Sequence, residues 1–198
     1  MTPDDVLSFW FAAPAADPGF HKRIQRWFRG GKDVDDEIRA RFGADVHERA
    51  VAGEYDHWVQ TPRGRRALLI ALDQFTRNLA RGTPAAYAGD AKAQKLALEA
   101  LDRGEDAGLD FEEVLFLVMP LAHSEALALH ARSVAVLEKH AAVAPPERRE
   151  LCEASLAQHR KYHETIRQFG RFPHRNAILE RTCTQEEFAF LASPSTNG

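Results

Sequence analysis

What the chain lacks narrows its class first. Its 198 residues include two cysteines, Cys152 and Cys183, which stand 31 positions apart with no CxxC pair and no zinc-type spacing. A disulfide scaffold is therefore not expected, and the thiols are read as reduced. No apolar run exceeds six residues, the longest being residues 67–72 (ALLIAL) and 114–119 (VLFLVM). A membrane-spanning helix needs about 20. Positive charge is not in excess either. The formal net charge is −3, so no global field draws nucleic acid or an anionic membrane. The start, MTPDD, lacks the basic and apolar stretches of a secretory signal. Together these absences predict a cytoplasmic protein that binds neither nucleic acid nor membrane.

Strand signals are scarce, and helix punctuation recurs from end to end. Thr2-Pro3-Asp4-Asp5 supplies a cap, a first-turn proline and acids at the positive end of a helix dipole. Residues 33–53 carry Val34, Ile38, Phe42 and Val46 at four-residue steps, which predicts one helix with one apolar face. Thr61-Pro62 opens a helix to about Arg81, where Gly82-Thr83-Pro84 stops it. Asp90 starts an alanine-rich helix. Asp110 and Glu113 form a capping box ahead of the next apolar run, which Pro120 is expected to end. Ser124 is placed to cap a helix to about Ala142. Pro145-Pro146 seeds a long helix that Gly170 closes, and Thr184 with Glu187 opens the last one. The spacers are short, which favours antiparallel hairpins. The reading is all-α, a single domain over residues 1–198, with no clean solenoid repeat.

Three stretches carry chemistry. In the helix from Pro62, the apolar first half reads as buried on every side, whereas the second half offers Asp73, Gln74, Arg77 and Asn78 in six residues. That pattern suits an internal polar cleft, or an Asp73–Arg77 pair one helical turn apart. In the long helix, Cys152, Ser155, Leu156, His159, Tyr162, His163 and Ile166 form the inward stripe. His159 and His163 are spaced as HxxxH, but Arg160 stands where a metalloprotease has glutamate and no third ligand is fixed. No metal and no cofactor are expected. His123 and Glu125 lie at a helix junction, beside Ser124 but without a GxSxG elbow.

The third stretch is residues 170–176, GRFPHRN. Arg171, His174, Arg175 and Asn176 surround a Phe-Pro turn that is expected to start a short helix, with residues 177–179 packing inward. Arg-Asn occurs here and again at Arg77-Asn78. Such pairs suit a carboxylate or phosphate, arginine supplying bidentate charge and asparagine a neutral fork. The alternative is a clasp in which Arg171 and Arg175 bridge to Asp73 and Glu125. Lys22, Arg23, Arg26 and Arg29 around Trp27 and Phe28 read as a solvated helix with a core-facing aromatic pair.

Taken in order, the segments VLSFWF, EYDHWVQTPRGRRALLIALDQFTRNLARGTP, FLVMPLAHSE, GRFPHRNAILER and TQEEFAFL resemble the bacterial domain-of-unknown-function family 924 over nearly the whole chain. The resemblance implies a tetratricopeptide-like right-handed superhelix. It brings no established activity and no catalytic residues. Thr76 replaces the proline of the family's DQFPRN, which suggests that proline is dispensable. Glu180 replaces the glycine of ILGR, which argues against a role needing close backbone approach there.

Three functions fit these residues. A binding module would hold a small anionic ligand or a peptide carboxylate through Arg77, Asn78, Arg175 and Asn176. An enzyme would use His123, His159, His163 or His174 as acid or base, with Asp73 orienting one of them. A purely structural clasp would leave no cavity. The sequence favours the anion site and names no reaction.

Overall fold

The computed structural model describes residues 1–11 and 21–193, and every regular element among them is helical. Helix α1 (Pro3–Phe11) begins as the sequence dictates, with the Asp5 amide donating to Thr2 Oγ1 at 3.2 Å. It packs on α5 (Pro62–Leu69), after α2 (His21–Arg29), α3 (Gly31–Phe42) and α4 (Val46–Val51). The single helix expected over residues 33–53 is two. Gly43 takes φ 94°, a conformation that favours glycine, and its amide closes α3 on the Arg39 carbonyl at 3.0 Å. The apolar face is nonetheless continuous, since Val34, Ile38, Phe42 and Val46 are all buried.

In α2, only one of the two aromatics faces inward. Trp27 is buried, with Nε1 donating to the Trp10 carbonyl at 2.8 Å, whereas Phe28 is 53% exposed. Phe9, Trp10, Phe42, Phe75, Phe116 and Trp27 join edge-to-face and stacked in one aromatic layer of the core.

Thr61 caps α5, its hydroxyl accepting from the Gly64 amide at 3.0 Å. The helix then widens into a π-helical turn, Ile70–Phe75, and returns to α-helix as α6 (Thr76–Leu79). Residues 67–72 are buried all round, as their uniform apolarity implies. Helix α7 (Asp90–Asp102) starts hard against this turn. A Cβ at Gly89 would lie 2.2 Å from the Leu72 carbonyl oxygen, so only glycine permits the approach.

Helices α8 (Phe111–Ala122), α9 (Leu127–Ala141) and α10 (Arg149–Phe169) pack in sequence, α7 on α8, α8 on α9 and α9 on α10. The Asp110–Glu113 capping box opens α8. Pro120 does not end it. The helix continues to Ala122, where the His123 amide bonds the Met119 carbonyl at 3.0 Å, and the burial of nearly every α8 side chain holds the turn past the proline. Ser124 is not the cap of α9 either. Its hydroxyl accepts from the Ala126 amide at 3.1 Å, and the helix starts at Leu127.

Gly170 ends α10 in the left-handed conformation, φ 68°. The expected helix after it is one 3-10 turn, Pro173–Arg175, followed by further turns, with Ala177 exposed and Ile178 and Leu179 half-buried. Helix α11 (Gln185–Ala192) opens with the Thr184–Glu187 capping box.

Candidate functional site

The polar cluster begins in the π-helical turn. A π turn shifts the backbone register, and such turns recur at functional sites. Thr76, where the resemblance has proline, turns its hydroxyl back to the Leu72 and Asp73 carbonyls at 2.5 and 3.2 Å. The turn carries Asp73 into the interior at 1% exposure. Its carboxylate is surrounded by donors. His123 Nδ1 lies 2.8 Å away, Arg77 Nη1 2.9 Å and Gln74 Nε2 2.5 Å. Burial opposes ionisation of Asp73, but the Arg77 charge and the hydrogen bonds outweigh it and hold the carboxyl at about 2.

His123 follows the last turn of α8. Burial, then the Arg77 guanidinium, push its pKa below the usual imidazole value, against the attraction of Asp73. It is neutral at pH 7, so a hydrogen bond rather than an ion pair joins it to Asp73. Because the carboxylate can only accept, the proton sits on Nδ1. Nε2 then carries the lone pair and takes no part in that bond, on a side chain that keeps 15% of its surface exposed.

Arg77 bridges to α7. Its Nη2 donates to Asp90 Oδ2 at 3.0 Å, while Nη1 lies 2.8 Å from Oδ1 at ion-pair distance but without hydrogen-bond alignment. Gly89 brings Asp90 within this reach. Arg175 approaches the same carboxylate at 3.6 Å and donates through Nη2 to the His123 carbonyl at 2.9 Å. Its guanidinium lies between two rings, 4.7 Å from Tyr87 and 4.4 Å from Phe172. Arg175 is 6% exposed, and its Nε has no hydrogen-bond partner. Burial and the neighbouring Arg77 lower its pKa, yet an arginine stays charged.

Asp73, Gln74, Arg77, His123 and Arg175 thus converge, and the other candidates do not. Asn78 donates to Asp35 at 2.8 Å and ties α6 to α3. Arg171 forks onto Glu187 at 2.6 and 2.8 Å and fastens α11. Asn176, fully buried, accepts from Arg181 at 3.0 Å and donates to Cys183 Sγ at 3.3 Å. Glu125 takes Arg181 on both oxygens, at 2.7 and 3.1 Å, and the Phe172 amide at 2.8 Å. A clasp therefore exists, but its partners are Arg171–Glu187 and Arg181–Glu125 rather than Asp73 and Glu125 with Arg171 and Arg175. His174 is exposed on the same turn, its ring 5.3 Å from Phe172.

A histidine layer lies beside the cluster. His159 is buried with Nδ1 2.8 Å from the Ser133 hydroxyl and Nε2 unpartnered, and burial pushes its pKa down to about 3. His130 is hydrogen-bonded through Nε2 to the Ser124 carbonyl at 2.6 Å and stacks on His163 at 6.3 Å. Among the described residues, no three His, Cys, Asp or Glu side chains are grouped to hold a metal ion. No described helix is long and apolar enough to cross a membrane.

Sequence reasoning missed Asp90, Tyr87 and Arg181. Asp90 read as a helix start, and only Gly89 before it hinted at close packing. Arg181 lay inside GRFPHRNAILER and had no separate signal.

Residues 6–195 match the family model described as bacterial protein of unknown function, DUF924. The chain is also similar to a solved structure, a protein of unknown function, ATU0120, from Agrobacterium tumefaciens. The two are 31% identical with a TM-score of 0.78, and the match covers 96% of each chain. No curated protein matches the chain.

Proposed function

The chain belongs to the DUF924 family, whose description assigns no activity, and from the cluster's geometry we propose that it binds a small anionic molecule at His123 and Arg175. The observation that carries this reading is the thin pairing of Arg175. Buried charges are ordinarily matched and hydrogen-bonded. Here a buried guanidinium, over the rings of Tyr87 and Phe172 at 4.7 and 4.4 Å, has one carboxylate at 3.6 Å, one carbonyl and an Nε without a hydrogen bond. An oxyanion would complete it, with the uncommitted Nε2 of His123 on the adjoining backbone. In this reading the hairpins form a tetratricopeptide-like superhelix in a cytoplasmic protein, and a peptide carboxylate is a ligand of the same chemistry.

Thermal melting of the full chain tests the proposal against acetate, benzoate and inorganic phosphate. A ligand at 100 times its Kd stabilises by about 2.7 kcal/mol. The melting temperature should rise with at least one of these anions and stay level in Arg175→Met. A wild type that responds to none of them contradicts the reading.

The Asp73–His123 pair favours a second reading, acid–base catalysis on the same ligand. A carboxylate fixing Nδ1–H leaves Nε2 as a base, the arrangement by which many enzymes orient histidine. Turnover abolished in Asp73→Asn with binding retained would support it.

A further inference from the structure

Resting on the anion-site reading, we infer that the ligand is a monoanion, a carboxylate rather than a doubly charged phosphate or sulfate, and that it enters with one proton, which His123 Nε2 accepts. The argument is the charge already present. Asp73 and Asp90 are balanced by Arg77 and Arg175, and Glu125 is matched by Arg181. With His123 neutral the cluster sums to zero, and a monoanion alone would leave one uncompensated negative charge in a largely buried place.

The groups facing His123 leave a single acceptor for the compensating proton. The π turn presents Asp73, α6 presents Arg77 and the start of α7 presents Asp90. Helix α9 presents His130, and α10 presents His159 and the phenol of Tyr162, whose ring lies 6.5 Å from the imidazole. The 3-10 turn presents Arg175 and His174, whose exposed imidazole interacts with His123 but makes no hydrogen bond to a carboxylate among the described residues. Asp73 is saturated with donors, and the arginines are already charged. His130 and His159 are more deeply buried than His123 and have no carboxylate beside them. His123 alone holds Nδ1–H against a carboxylate and has Nε2 to spare. Protonated, it donates from Nδ1 to Asp73 and from Nε2 to the ligand. The proton comes from solvent and no covalent bond changes. A dianion would still leave one unmatched charge.

Nuclear magnetic resonance of the full chain, with labelled histidine and arginine side chains, tests this using sodium acetate and sodium sulfate as probes, His123→Gln assigning the imidazole. Acetate should perturb the Arg175 Nε resonance and move the His123 titration to higher pH. Its affinity should fall by up to tenfold per pH unit between the free and the acetate-bound His123 midpoints, the slope of one linked proton. Sulfate should bind more weakly. In His123→Gln the Arg175 perturbation should lose its pH dependence. Acetate that perturbs Arg175 without moving the His123 titration overturns this inference and leaves the anion site standing. Sulfate binding tighter than acetate also overturns it. If neither probe perturbs Arg175, the site reading falls and the inference with it.

Discussion

Asp73 Oδ1 lies 2.8 Å from His123 Nδ1 and joins the π-helical turn of one helix to the end of another, 50 residues further along the chain. The contact fixes an imidazole tautomer in a place where Arg77, Asp90 and Arg175 meet. The consequences for stability follow from how deeply each partner is buried.

Replacing Asp73 by asparagine should be strongly destabilising. The buried carboxylate shares Arg77 with Asp90 and accepts from His123 and Gln74, and asparagine removes its charge and replaces one acceptor by a donor among these groups. The expected loss is about 3 kcal/mol by urea denaturation. A loss under about 1 kcal/mol would show that solvent reaches the pair.

Acid should weaken the fold in two stages. His123, His130 and His159 have folded-state pKa values below 6.5, so their neutral forms stabilise fully above that value and the contribution is lost as pH falls. His159 extends this loss to about pH 3. Asp73 runs the other way round from a raised group. It contributes fully above 3.8, and its contribution disappears only as pH falls toward about 2. The urea midpoint should therefore be level above pH 7 and decline from pH 6.5 downward. His159→Gln should reduce that slope by about 1 kcal/mol per pH unit. An unchanged slope would mean that His159 is solvated.

Glu180 is the one non-glycine with positive φ among the described residues, at 54°. The resemblance has glycine here, and the conformation explains why. A side chain in the left-handed region is strained by about 1–2 kcal/mol, part of which glycine returns through its freer unfolded chain. Glu180→Gly should stabilise by about 0.5–1 kcal/mol in the same assay. Destabilisation would show that the glutamate side chain makes a contact stronger than the strain.

Features encoded by neighbouring residues were legible in the sequence. Thr61-Pro62, the capping boxes at Asp110 and Thr184, and Gly170 each satisfy backbone groups within a few residues, so sequence alone predicts them. Pro120 and Ser124 misled because burial against other helices overrode the local signal. The site was half legible. Four polar residues after ALLIAL marked the cluster, but which of them face it depends on the π turn, which no periodicity encodes. Asn78 and Asn176 bear the same dipeptide as Arg77 and Arg175 and yet serve Asp35 and Arg181.

The central claim, that Arg175 serves ligand binding rather than fastening the turn, is tested most directly by the stability of Arg175→Met against wild type without added anion. A thinly paired buried cation replaced by an apolar side chain of similar length should leave the unfolding free energy within about 0.5 kcal/mol or raise it. A loss of about 3 kcal/mol would make Arg175 a structural clasp and contradict the account.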